Sequence, residues 1–270
     1  MVRENDAGVA EAPEGVGMPE LERLANELRL AAMRGQITAH YQPQVELRKG
    51  RLVALEALSR WQHPRRGVVS PLEFIPLAEA IGAMNEIGDV MLAAACRYGA
   101  ALVRTGRRLE IAVNVAAEQL AQPRFAERVA GHLDDSGMPA ALLTLELTET
   151  HPSPSEAAGA LADVRAIGVG VSVDDVQTVD EAVERMAALP ITELKVDRSV
   201  IERLPGNRSE AARLVRFARR HRLRSVAEGI ENETQLAVAR ELGFDRAQGY
   251  LFGRPESPQR LTARLVTSPA

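Results

Sequence analysis

One residue in 270 is a cysteine, Cys96, so no intrachain disulfide can form and nothing points to an oxidising compartment. Its apolar surroundings suit a buried helical thiol. No apolar run approaches the roughly 18 residues that cross a bilayer. Residues 1–20 are polar and acidic, with scattered glycine and proline, and lack the apolar core of a signal peptide. Residues 1–18 are expected to be a disordered leader or linker. A cytoplasmic protein that does not engage a membrane is the simplest expectation. There is no basic excess either. Thirty-three Lys and Arg face 37 Asp and Glu, for a formal net charge of −4. That balance argues against a nucleic acid polymer as partner, although it admits a small phosphate ligand held by local cations. The five histidines, His40, His63, His132, His151 and His221, show no metal-ligand spacing and are expected to be structural or on the surface. The arginines of 213–224 are expected to form a solvated face. No internal repeat and no low-complexity tract appears.

What remains is 46% hydrophobic and 26% charged, the profile of a globular chain long enough for one large α/β domain or two small ones. Apolar spacing predicts a helix over 21–34, with Gly35 as its stop. Residues 38–45 and 51–61 read as strands around a turn at Lys49-Gly50, and so short a connection requires them to be antiparallel. Ser70, Pro71 and Glu73 read as the start of a helix that continues over 74–81, and another covers 85–103. Strand and helix then alternate. The strands are 109–114, 142–148, 169–173, 193–196, 225–227 and 247–250. The helices are 125–136, 155–167 (with Ser153 or Ser155 as cap), 180–189, 209–221 and 234–242. About seven β/α units follow the first strand. This rhythm predicts an α/β fold, a (β/α)8 TIM-like barrel with an antiparallel first strand, and leaves a doubly wound open sheet as the alternative.

The strands end on a recurrent chemistry. Glu56, Asn114, Glu146, the adjacent Asp174 and Asp175, Lys195, Glu228 and Gln248 all fall at or near strand ends. In a parallel barrel the carboxyl ends of the strands meet around one site. Carboxylates brought together there require a cation. Oxygen donors without histidine or cysteine suit hard ions such as Mg2+ or Mn2+, and two such ions are suited to phosphodiester hydrolysis. Lys195 would be the ammonium of the site, close to the attacking water or the phosphate. Taken singly, these residues have plainer roles. Glu56 reads as a salt-bridge partner, the aspartate pair as a helix cap, and Lys195 as a solvated side chain.

The ordered motifs resemble those of the EAL-domain cyclic-di-GMP phosphodiesterases. The resemblance begins at Tyr41-Gln42-Pro43 and Glu56-Ala57-Leu58-Ser59-Arg60-Trp61. It continues through Phe74-Ile75-Pro76-Leu77-Ala78-Glu79, Val113-Asn114-Val115, Glu146-Leu147-Thr148-Glu149 and Asp174-Asp175. It closes with Leu194-Lys195-Val196-Asp197-Arg198-Ser199, Ala227-Glu228-Gly229-Ile230-Glu231 and Gln248-Gly249-Tyr250-Leu251-Phe252. The resemblance implies an EAL-type barrel domain over 19–265 that opens one phosphodiester of cyclic di-GMP to give linear pGpG. By position, it implies that Glu56, Asn114, Glu146 and Asp174 hold a first Mg2+ or Mn2+ ion, with Asp174 bridging. Asp175 and Glu228 match the residues around a second ion. Lys195 matches the lysine at the hydrolytic water, and Gln248 the glutamine near the metal site and ligand. Gln42, Leu58 and Arg60 match residues that hold a guanylate and its phosphate. Glu149 matches the glutamate that anchors the loop after the aspartate pair.

That loop departs from the family. Where the family usually reads Asp-Asp-Phe-Gly-Thr-Gly-Tyr-Ser-Ser-Leu, this chain has Gln177 and Val179 in place of the two glycines and Val176 in place of the aromatic residue. If the family loop needs positive φ at either glycine, Val179 above all would be strained. The loop supports the metal site and the dimer contact in this family. Its divergence over 176–183 therefore implies reduced activity, or a non-catalytic cyclic-di-GMP receptor or protein-interaction module on the same barrel. Because family dimers form partly through this loop, its divergence leaves open a monomer or an altered homodimer, and a regulatory protein partner is the other candidate. With no GGDEF-like, PAS or receiver segment here, regulation is expected from a partner or another part of the chain.

Overall fold

The structure is a computed structural model that describes residues 18–148 and 154–267. Apart from Met18, the leader expected over 1–18 lies outside the described residues, as do Glu149, His151 and Ser153.

Nine strands form one sheet: β1 (Ile37–Glu46), β2 (Arg51–His63), β3 (Gly67–Val69), β4 (Glu110–Asn114), β5 (Leu143–Thr148), β6 (Gly170–Val176), β7 (Glu193–Val196), β8 (Arg224–Ala227) and β9 (Arg246–Gln248). The order β1-β9-β8-β7-β6-β5-β4-β2 closes because β1 also pairs with β2, leaving β3 as a flap on β2. The result is an eight-stranded closed barrel. β1 is antiparallel to both of its neighbours, and every other contact around the ring is parallel. The antiparallel start follows from the short turn, whose Gly50 takes φ 67. The open-sheet alternative is excluded by this closure.

The helices are α1 (Met18–Ala31), α2 (Pro71–Ala80), α3 (Met84–Arg104), α4 (Ala117–Leu120), α5 (Phe125–Ser136), α6 (Pro154–Ala166), α7 (Glu181–Met186), α8 (Arg198–Ile201), α9 (Ser209–Arg220), α10 (Glu233–Leu242) and α11 (Pro258–Thr267). The longer ones cover the outside of the barrel, and apolar side chains between sheet and helices form the core. Parallel strands buried on both faces need apolar residues throughout, as in Ile111-Ala112-Val113 and Leu143 to Leu147, where only Thr144 and Glu146 are polar. Cys96 is buried within α3, and its thiol is pushed up to about 11 by burial, which leaves it unreactive. Among the described residues no helix is long and apolar enough to cross a membrane.

Two sequence expectations change. First, β6 does not stop before the aspartate pair but runs through it to Val176. The β6–β7 register shifts between Val173 and Val176, and Asp175 sits at φ 60. This is a β-bulge, and aspartate is among the few residues that accept the left-handed conformation. Second, the pair caps no helix. Asp180 caps α7, its carboxylate accepting from the Val183 amide at 2.9 Å. In addition, β3, α4, α8 and α11 are present although no sequence expectation covered them.

Candidate active site

Strand register lines up the acidic residues at one end of the barrel. Gln42 lies opposite Glu56, Asn114 beside Glu146, and Thr148 beside Asp174. Glu146 and Asp174 therefore sit at successive heights on neighbouring strands. Lys195 comes from the third residue of β7, and Glu228 follows β8 directly, its amide donating to the Val196 carbonyl at 3.1 Å. The turn after β9 brings Gln248 in, because Gly249 lets the chain pass against Ile230. A Cβ on Gly249 would lie 2.1 Å from the Ile230 carbonyl oxygen.

Lys195 is the centre of this arrangement and is fully buried. Its Nζ lies 2.8 Å from Asp174 Oδ2, 2.8 Å from Glu228 Oε1, 3.0 Å from Glu146 Oε1 and 3.8 Å from Glu56 Oε2. Four carboxylates around one ammonium leave the cluster three negative charges in excess if all are ionised. The electrostatics follow from that imbalance. Burial works to discharge Lys195, but the surrounding carboxylates hold its proton well above the usual lysine range. Burial pushes Glu146 and Glu228 well above the usual glutamate range, and their carboxylate neighbours push the same way against Lys195. Burial also acts to raise Glu56, but Lys195 and the amides of Gln248 and Asn114 outweigh it and keep that carboxyl low. Asn114 Nδ2 donates to Glu56 Oε1 at 3.1 Å, and Gln248 Nε2 donates to Glu56 Oε2 and, at 3.1 Å, to Gln42 Oε1.

The bulge explains why both aspartates contribute. Adjacent residues of a regular strand point to opposite faces. With Asp175 in the left-handed conformation, carboxylate oxygens of Asp174, Asp175 and Glu228 lie within 4.8 Å of one another, as do those of Glu56, Glu146 and Asp174. Asp174 belongs to both groups. Partial desolvation beside Asp174 pushes the Asp175 carboxyl up to about 6.

Both groups fit divalent cations. The buried Glu146 carboxylate accepts no hydrogen bond: Oε1 has only the ion pair with Lys195 at 3.0 Å and Oε2 has no hydrogen-bond partner, a deficit that a cation would relieve. The donors are all oxygen, the set that Mg2+ and Mn2+ prefer. A cation would also reverse the upward shifts of Glu146, Glu228 and Asp175.

A cavity of about 250 Å3 opens beside these groups and is lined by Gln42, Glu56, Leu58, Asp174, Asp175 and Glu228, among others. Arg60 does not line it. It lies two residues beyond Leu58 on the same strand face, half-buried, with Nη1 donating to the Ser59 carbonyl at 2.7 Å. The lining also includes Arg198, Glu231 and Tyr250, with Arg254 stacked 4.1 Å over the Tyr250 ring. None of these was assigned a role from sequence, although Arg198, Glu231 and Tyr250 lie within the motifs of the resemblance and fall two to four residues past strand ends. Glu149 lies outside the described residues.

The divergent loop is relaxed. Among the described residues, positive φ outside glycine occurs only at Arg124, Asp175 and Arg222, so neither Gln177 nor Val179 needs a glycine. The strain foreseen at Val179 is absent. The loop is instead tied to α9. Thr178 Oγ1 donates to Glu210 Oε1 at 2.9 Å, and Arg213 Nη2 reaches the Val179 carbonyl at 3.5 Å.

Comparison with known proteins agrees with this geometry. The protein-family model described as the EAL domain matches residues 25–255. The cyclic di-GMP phosphodiesterase NbdA of Pseudomonas aeruginosa is 37% identical over 239 residues, which is 86% of this chain and 30% of that protein. MucR of the same organism, a bifunctional diguanylate cyclase/cyclic di-GMP phosphodiesterase, is 36% identical over 250 residues, 90% of this chain and 36% of MucR. The chain thus spans about a third of the length of these relatives. The solved PaMucR phosphodiesterase in complex with c-di-GMP superposes with a TM-score of 0.83 at 35% identity, covering 88% of this chain and 99% of that one. By motif order, barrel topology and these matches, the chain belongs to the EAL-domain family.

Proposed function

We propose that this domain hydrolyses cyclic di-GMP to linear pGpG with the help of two divalent ions, Mg2+ or Mn2+. The observation that carries the reading is the pair of carboxylate groups sharing Asp174 around a buried Lys195. Glu56, Asn114, Glu146 and Asp174 would hold one ion, and Asp174, Asp175 and Glu228 the other. Ions bound there supply positive charge for the phosphate and lower the pKa of a bound water.

The chain's own residues do the rest. Lys195 orients Asp174 and Glu228 through its 2.8 Å contacts and would offer positive charge to the phosphate and the attacking water. Gln248 and Asn114 fix the Glu56 carboxylate by donating to both of its oxygens. Gln42 and Leu58 line the cavity beside the carboxylates and would seat a guanylate, and Arg60, two residues beyond Leu58 on the same strand, would meet its phosphate as the family resemblance implies. In the reaction, water adds to phosphorus, one P–O ester bond breaks, and the released ribose oxygen takes a proton. Glu149 would anchor the loop after Asp175, as the family resemblance implies.

The loop sequence favours a second reading, a receptor that binds cyclic di-GMP without cleaving it. The relaxed backbone at Gln177 and Val179 supports the first. Incubation with cyclic di-GMP in Mn2+ and in chelator separates them. Metal-dependent pGpG supports hydrolysis, whereas binding without product at high protein concentration supports the receptor.

A further inference from the structure

The barrel has a second charged end. Opposite the acidic site, the β1–β2 turn, the carboxyl ends of α9 and α10 and the amino ends of β8 and β9 enclose an open concavity of about 1030 Å3. Half of its fourteen lining residues are arginine, in a chain whose formal charge is −4. Arg224 and Arg246 are engaged by Glu110 and Glu193. Five remain: Arg48 and Arg51 beside the turn, Arg219 and Arg222 at the end of α9, and Arg240 on α10. The acidic groups of the lining are Glu46 and Asp245.

The five are loosely used. Arg48 and Arg51 each lie 3.8 Å from Glu46. Arg219 spends one donor on the Gly243 carbonyl at 3.0 Å, which closes the end of α10. The guanidinium groups of Arg222 and Arg240 have no hydrogen-bond or ion-pair partner among the described residues. Arg222 also occupies a left-handed backbone position, φ 59, where glycine or asparagine is usual. The two helix ends oppose an anion with about half a charge each. Five guanidiniums against two carboxylates still leave the concavity positive.

We propose that this concavity binds an oligophosphate, such as the polyphosphate tail of a nucleotide. Guanidinium forks match phosphate oxygens in pairs, and arginines spread over the β1–β2 turn, α9 and α10 suit several linked phosphates better than one. The inference is independent of the proposed hydrolysis and involves the opposite end of the barrel.

Calorimetric titration of the whole chain in EDTA, at fixed ionic strength, tests it with inorganic triphosphate, adenosine triphosphate and sulfate as probes. Triphosphate is expected to bind at one site, with Glu56→Ala binding it equally well. Arg222→Ala/Arg240→Ala should bind at least about tenfold more weakly, from the loss of charge-assisted hydrogen bonds. Arg240→Glu, at an exposed helix position, should show the loss alone if the double variant does not fold. Equal affinity for both triphosphates assigns the site to the phosphate tail, and tighter adenosine triphosphate adds the nucleoside. Either supports the proposal. No binding of triphosphate, sulfate binding as tightly, or unchanged binding by the arginine variants would overturn it.

Discussion

Lys195 holds the candidate site together before any metal arrives. Its fully buried ammonium lies within 4 Å of four carboxylates, and removing the cation from such a cluster leaves uncompensated buried charge. Lys195→Met should therefore lower stability in chelator by about 3–5 kcal/mol at neutral pH. Mn2+ should restore more of the melting temperature in the variant than it adds to the wild type, as thermal denaturation with and without metal would show. Equal melting temperatures in chelator would mean that the carboxylates do not depend on Lys195. Taken singly Lys195 reads as a solvated side chain, because one lysine in Glu193-Leu194-Lys195-Val196 does not reveal that all four residues are buried; the joint strand-end pattern is what put it in the site. Its place at a strand end was legible, and so was each carboxylate. The joint use of Asp174 and Asp175 was implied only by the resemblance, and the bulge that permits it was not legible, because φ 60 at Asp175 goes with the register shift between β6 and β7 rather than with local propensity.

The β6–α7 connection is the element on which the choice between hydrolysis and a receptor rests. By the family resemblance it reads as divergent, with Gln177 and Val179 where glycines are expected. Its backbone is relaxed nonetheless: φ is negative at Gln177 and Val179, Asp180 caps α7, and Thr178 and the Val179 carbonyl are held by Glu210 and Arg213 on α9. Val179 also packs against the buried cluster that includes Val176 and Val183. Val179→Gly, which restores the family residue, should then destabilise the domain by about 1 kcal/mol or more through lost packing and a looser chain. A urea unfolding series would measure it, and a gain in stability would contradict the assignment of a relaxed loop. Elements with clear periodicity, such as α5 and α9, were legible to within a residue. The three- and four-residue pieces β3, α4 and α8 carry no period to read, and they form only because the barrel places them. The i,i+4 pair Leu261 and Leu265 did signal α11, although no expectation was drawn from it.

At the scale of the whole molecule the two ends of the barrel carry opposite chemistry. One end collects carboxylates around a lysine. The other closes on Arg224 and Arg246, which bind Glu110 from β8 and β9, with Arg224 Nη2 2.8 Å from Glu110 Oε2 and Arg246 Nη1 3.0 Å from it. Burial alone would raise the Glu110 carboxyl, but the two guanidiniums outweigh it and hold it below the ordinary value of 4.5. A depressed carboxyl contributes stability above its unfolded pKa and loses it as pH falls through the folded one. Glu110→Gln should accordingly lower unfolding free energy by about 2 kcal/mol at pH 7, and the gap to wild type should shrink below pH 4.5. A melting series from pH 3 to pH 8 checks the sign, and a gap that widens in acid would refute it. Barrel closure and the acidic end were both legible because strand-helix alternation and strand-end polarity survive in one dimension. The arginine end was not, since Arg48, Arg219 and Arg240 meet only after the barrel closes. The central claim remains that the acidic end cuts a phosphodiester, and the most direct measurement compares wild type and Glu56→Ala with cyclic di-GMP and Mn2+, separating products by chromatography. The expected result is linear pGpG from the wild type and at least about 100-fold less from the variant, since even changes to residues that only hold a metal's ligands in place cost about 10–100-fold, with the two proteins melting as equally folded domains. No pGpG from the wild type, or equal turnover by Glu56→Ala, would contradict it.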